Sequence, residues 1–202
     1  MKSSQIKLTN PVILDRSAKK LHLGCGHKIL DDWINCDIKP DKNIIKWDLT
    51  QEPPFDNNSI DFIFSEHVLE HFTLDEGFRI LVRCRKIMKP GSIIRIAVPD
   101  LNSCIREYQN KKGLVFRNEH QKQLSKIRIN AEFINKCFRE HGHKFLYDFD
   151  ALAYNLKKAG FINVKRFGVG ESSEAELKSL ETRIYNKNSS QVSLCIEAKK
   201  KG

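Results

Sequence analysis

Lys20-Leu21-His22-Leu23-Gly24-Cys25-Gly26 decides the architecture of this chain, because a short apolar strand runs straight into two glycines. In an open parallel sheet, ligands bind beyond the carboxyl ends of the strands. A glycine there lets a ligand approach backbone that a side chain would block. Working outward, further apolar runs at 34–38, 44–47, 60–64, 93–98, 162–167 and 192–197 alternate with helical patterns or short links. That alternation predicts an α/β fold: a Rossmann-like, doubly wound, mostly parallel sheet of seven strands with helices on both faces.

Helix signals fall between the later strands. Thr73-Leu74-Asp75-Glu76 has the Ser/Thr-x-x-Glu spacing whose side chains satisfy the orphan amides of a helix start. Leu74, Phe78, Leu81, Val82 and Cys84 follow at helical spacing, and Lys89-Pro90-Gly91 stops the element. A second helix is expected over 149–159, capped by Asp148 or Asp150, with Leu152 and Leu156 inward and Gly160 as its end. Ser173-Glu174-Ala175-Glu176 reads as another capping box before a short helix. The link from Gly24 to Ile34 leaves room for one or two helical turns at most. Pro53-Pro54 and Asn57-Asn58 make the link before the fourth strand a loop.

A length of 202 residues suits one domain, with 40% apolar and 30% charged residues giving a globular composition. The expected division is an arm over 1–19 and one domain over 20–202, with a basic helical insert at about 101–144. No apolar run approaches the length of a membrane span, and the start carries no secretion signal, so a cytoplasmic chain is expected. Six cysteines without a Cys-x-x-Cys pair suggest neither a zinc ribbon nor a disulfide framework. The net charge of +10 would attract anionic partners. Much of it falls in 101–144, which holds ten basic residues against four acidic ones. That segment suits a solvated helical face, then an acidic acceptor, then RNA. No aromatic-interleaved basic strip supports RNA, so nucleic acid ranks below a small molecule.

Asp37 ends the second strand thirteen positions after Gly24, placed to accept hydrogen bonds from a ribose diol. Asp48-Leu49, after the third strand, could take a hydrogen bond from an adenine amino group. Ile29 stands where the third glycine of a Gly-x-Gly-x-x-Gly fingerprint would bind a pyrophosphate, which disfavours a dinucleotide. An adenosyl ligand without phosphates fits better. His67 and His71, four apart, raise the thought of a zinc helix, but the His-Glu-x-x-His order is missing and no third ligand is evident, so no metal is expected.

These pieces together resemble a class I S-adenosylmethionine-dependent methyltransferase of the type 11 group. The resemblance is carried by Leu21 to Gly26, Trp33-Ile34-Asn35-Cys36-Asp37-Ile38, the run from Pro54 to His71, Met88-Lys89-Pro90-Gly91 and Ala97-Val98-Pro99-Asp100-Leu101. It implies S-adenosyl-L-methionine as cofactor. Gly24, Cys25 and Gly26 would pass its methionine part, Asp37 would hold the ribose with Ile38 beside it, and Asp48 with Leu49 would bracket adenine. Ser65, Glu66 and His67 would line the pocket beneath the sulfonium. The sequence departs from the group at His22, where an acidic residue is frequent and contacts the cofactor, and at Lys28, where a glycine often stands.

The implied reaction is methyl transfer to a small oxygen-bearing acceptor, neutral or anionic, such as a saccharide or secondary-metabolite intermediate. His67 is the first candidate base, followed by His141 and His143. An RNA methyltransferase and a non-catalytic binding module on the same fold are the alternatives.

Overall fold

The computed structural model describes residues 19–110, 115–118, 123–126, 129–182 and 193–202. The expected arm, apart from Lys19, and the side chains over 111–128 lie outside them. The chain runs β1 (Lys20–Leu23), β2 (Ile34–Asp37), β3 (Ile45–Lys46), β4 (Ile60–Glu66), α1 (Leu74–Ile87), β5 (Met88–Pro99), α2 (Leu101–Gln109), β6 (Val115–Asn118), β7 (Gln123–Lys126), α3 (Asn130–Arg139), α4 (Phe149–Lys158), β8 (Phe161–Phe167) and β9 (Ser193–Lys200). Seven strands form one sheet in the order β3-β2-β1-β4-β5-β9-β8. β9 runs antiparallel to both its neighbours, and the remaining pairings are parallel. The order reverses between β1 and β4, which opens a crevice at their carboxyl ends.

α1 starts as its sequence predicts. Thr73 Oγ1 accepts from the Glu76 amide at 3.3 Å, and Glu76 Oε2 accepts from the Thr73 amide at 2.8 Å. Ile80, Leu81, Cys84 and Ile87 form its buried stripe, whereas Val82 turns outward. α4 is capped by Asp148, which accepts from the Ala151 amide, and ends before Gly160 at φ +90°. Both helices pack on one face of the sheet, over Leu21, Leu23, Ile63, Ile94 and Ile96. The links from β1 to β4 hold turns and no helix, as their brevity and prolines require.

The segment expected to be a helical insert contains an antiparallel hairpin, β6 with β7, besides α2 and α3. The second predicted capping box does not form. Residues Ala175–Leu177 make a 3-10 turn without a side-chain cap, because Glu176 Oε2 is engaged by Lys20 Nζ at 2.8 Å rather than folding back on the chain.

The second face of the sheet is polar at its centre. His22, Asn35, Phe64, Arg95 and Glu197 stand side by side across five strands by register. The segment 168–182 lies over it. Arg95 Nε donates to Glu181 Oε1 at 2.5 Å, its Nη1 to Glu197 Oε1 at 2.7 Å and its Nη2 to the Gly168 carbonyl at 3.2 Å. Nearby, Thr182 donates its amide and hydroxyl to Glu66 at the tip of β4. Lys28 Nζ donates to the Leu180 carbonyl. This tether does the covering that a long crossover helix would otherwise do.

Candidate functional site

The tips of β1, β2 and β4 meet around two left-handed glycines. Gly24, at φ +62°, has no room for a Cβ, because Val68 Cγ2 sits where it would go. Gly26, at φ +55°, differs: a Cβ there would meet nothing within 4 Å. One glycine is explained by packing, and the other leaves exposed backbone facing open space. Gly24→Ala should therefore lose about 2 kcal/mol of stability, part for the left-handed backbone and part for displacing Val68. Thermal or urea unfolding reads the loss. Gly26→Ala bears only the backbone part and should lose about half as much.

Asp37 fastens this loop. Its Oδ2 accepts from the Gly26 amide at 2.9 Å and its Oδ1 from the Lys39 amide at 3.0 Å, and the carboxylate remains partly exposed at the strand tip. Ile38 beside it is exposed. Asp48 caps its own turn, accepting from the Thr50 amide and hydroxyl, and these bonds hold its carboxyl below the ordinary range. Leu49 is buried with Leu23, Ser65 and Leu69 around a small apolar cavity behind the tips. The hydroxyl of Ser65 is buried there without a hydrogen bond. Cys25 carries a thiol that burial, helped by the Asp37 charge, pushes up to about 11, so it stays protonated at neutral pH.

His22 stands inside the second face, not at the tips. Its Nδ1 lies 3.2 Å from Asn35 Oδ1, and its ring packs on Phe64. Glu66 is buried and held by Thr182.

His67 begins the loop after β4 with φ +54°, a conformation that costs a non-glycine residue roughly 1–2 kcal/mol. The hydrogen bond from its amide to the Ala97 carbonyl fixes it. Its ring is buried, with Nδ1 2.9 Å from Glu70 Oε1 and Nε2 3.4 Å from Ser193 Oγ. A carboxylate on one nitrogen orients the ring and stabilises the imidazolium that forms when the other takes a proton. Glu70, spaced three residues from His67, is the partner that the sequence reading passed over.

The turn carrying His141 and His143 is stitched to the same loop, since the amides of Lys144 and Phe145 both donate to the Glu70 carbonyl. His141 is exposed at a left-handed kink, φ +58°. His143 is half-buried, and its Nδ1 lies 2.8 Å from the Cys137 carbonyl. The structure brings His143 next to His71, ring centroids 5.3 Å apart. Asp100, at the end of β5, caps α2 and receives Arg166 at 2.8 Å.

Comparison with known proteins agrees with this geometry. Residues 27–96 match the family described as "Methyltransferase domain". A SAM-dependent methyltransferase from Archaeoglobus fulgidus is 19% identical over 91% of this chain and 86% of its own, with a TM-score of 0.55. One from Methanosarcina mazei is 15% identical over 93% and 94%, at 0.56. Phosphoethanolamine N-methyltransferase 2 of Haemonchus contortus, solved with S-adenosyl-L-methionine, is 13% identical over 94% of this chain and 50% of its own, at 0.54. No curated protein matches the sequence.

The strand order and the glycine-bearing crevice define the class I methyltransferase fold. The family match spans residues 27–96, from the loop after β1 into β5, and the likeness to these solved structures extends the same fold over the rest of the chain.

Proposed function

We propose that this chain is an S-adenosylmethionine-dependent methyltransferase of the type 11 group, acting in the cytoplasm on a small oxygen-bearing acceptor, neutral or anionic, of the saccharide or secondary-metabolite kind. Among the described residues no helix is long and apolar enough to cross a membrane. The cofactor placement is carried by one observation: open space over the left-handed backbone of Gly26, next to the partly exposed carboxylate of Asp37. Asp37 would take the ribose hydroxyls, Ile38 would cover the nucleoside, and Asp48 with Leu49 would bracket adenine. Gly24, Cys25 and Gly26 would lie along the methionine part, with Ser65 and Glu66 at the floor. His22 would act from behind, holding β1 to β2 through Asn35.

When bound, the cofactor supplies an electrophilic methyl group for in-line displacement. The protein must align the acceptor and exclude water. For a hydroxyl acceptor, His67 would take the proton at Nε2 while Nδ1–H stays on Glu70, and the resulting charge pair is buried and stabilised. His141 and His143, on the neighbouring turn, would border the acceptor.

Calorimetry with S-adenosylhomocysteine tests the placement. Asp37→Ala should weaken binding by about 2 kcal/mol, some thirtyfold, for hydrogen bonds lost to a charged group. An unchanged affinity would place the ribose elsewhere, and no binding to folded wild-type protein would remove the reading.

A further inference from the structure

We infer that Glu70, His71 and His143 form a binding site for one divalent transition-metal ion of the zinc class. A carboxylate oxygen of Glu70 and one nitrogen from each imidazole lie within 4.8 Å of one another. The sequence hides the grouping, because His71 and Glu70 share the 3-10 turn after β4 whereas His143 arrives from the far side of the insert.

Three features point to a ligand rather than to chance proximity. Glu70 is 0% exposed, yet only its Oε1 is engaged, by His67; Oε2 is buried without any hydrogen bond. A buried carboxylate oxygen left unpaired is costly, and a cation would satisfy it. His143 is already oriented. Because a carbonyl only accepts, Nδ1 of His143 must carry the proton that it donates to Cys137, leaving the Nε2 lone pair for a metal. A backbone carbonyl on the second nitrogen is the usual outer-shell support of a metal-binding histidine. His71 supplies the third donor, half-buried and with no side-chain hydrogen bond among the described residues.

The donor set chooses the ion. Two imidazoles with one carboxylate suit zinc and its neighbours, whereas magnesium and calcium require oxygen. Tetrahedral ligation at about 2.1 Å needs ligand atoms roughly 3.4 Å apart. Of the three, His71 is the side chain that would turn to close that gap, since no hydrogen bond among the described residues holds its ring. Three protein ligands would leave a fourth position open, and the turn carrying Glu70 and His71 follows β4 at the same carboxyl end of the sheet as the proposed cofactor crevice. If the methyltransferase reading holds, an acceptor oxygen can occupy it, and Glu70 then joins the metal to His67 through its two oxygens.

The test uses the full chain, freed of any affinity tag and stripped with chelator. Equilibrium dialysis against zinc with elemental analysis, and cobalt(II) titration followed by visible absorption, should show one ion per chain at low-micromolar affinity or tighter. Cobalt should give the intense d–d bands of a four-coordinate site. His71→Ala and His143→Ala should each weaken binding about tenfold or more. His27→Ala, which removes an exposed imidazole elsewhere, should bind like wild type. Unfolding curves confirm that each variant is folded. If wild-type protein takes up no zinc, or if both ligand variants still bind it fully, the inference is wrong. S-adenosylhomocysteine binding, measured on the same samples, separates this result from the cofactor placement: either can fail while the other stands.

Discussion

Arg95→Met is expected to lower the unfolding free energy by about 4 kcal/mol at neutral pH. Arg95 is 0% exposed at the centre of β5, and it is the cation between two buried carboxylates, Glu181 and Glu197. Methionine fills similar space but leaves both carboxylates in the interior unpaired. Glu181 can relieve little of this, because its Oε2 is already committed to the Gly170 amide at 2.9 Å. Urea denaturation should show a lower midpoint with nearly the same slope. The control is the triple variant Arg95→Met/Glu181→Gln/Glu197→Gln, which removes the charges together and should recover most of the loss, since a buried ion pair contributes little net stability over neutral packing. A single-variant cost below about 1 kcal/mol would mean that the carboxylates reach solvent. Cofactor affinity should fall as well, because the same triad anchors segment 168–182, and Thr182 at its end clasps Glu66 beside the crevice.

That triad also marks where the sequence stops being informative. The strand over 93–98 is visible as an apolar run, and the sheet built from such runs is the one observed. The capping box at Thr73 and the stop at Gly160 are local devices, legible because the interacting groups sit within a few residues of each other. Arg95 interrupts its run without announcing a partner, since Glu181 and Glu197 come from far downstream and only the antiparallel return of β9 brings Glu197 opposite. The same limit applied at the site. Gly24, Gly26, Asp37 and Asp48 stand out because strand ends are predictable and ligands bind there. The fold alone could supply His143 as a third donor to a cluster that had seemed to lack one. The Ser173 box failed for a related reason: Lys20, a residue of β1, took the glutamate that the local pattern needed.

Stability should also fall with pH through His22, by up to about 3 kcal/mol between pH 6.5 and pH 4. Burial pushes its imidazole from 6.5 down to about 4, outweighing the Asn35 hydrogen bond that pulls it up. The hydrogen-bond network fixes the tautomer. Asn35 Nδ2 donates to the Leu30 and Trp33 carbonyls, so its Oδ1 faces His22 and must accept from Nδ1–H. A further proton would have to go to Nε2, in a site that Lys28 makes still less hospitable to charge. The unfolded chain takes up that proton near 6.5 and the folded chain only near 4, so the full stabilisation holds above 6.5 and drains away as pH descends to 4. Carboxylates in general titrate in part of the same window, so the measurement is a difference: unfolding free energies of wild type and His22→Gln at pH 7 and at pH 4. Glutamine retains a donor for Asn35 but cannot titrate. Wild type should lose about 3 kcal/mol more than the variant across that interval. Parallel losses would mean that His22 accepts its proton in the folded state, and the polar face between β1 and β2 would then have to admit water.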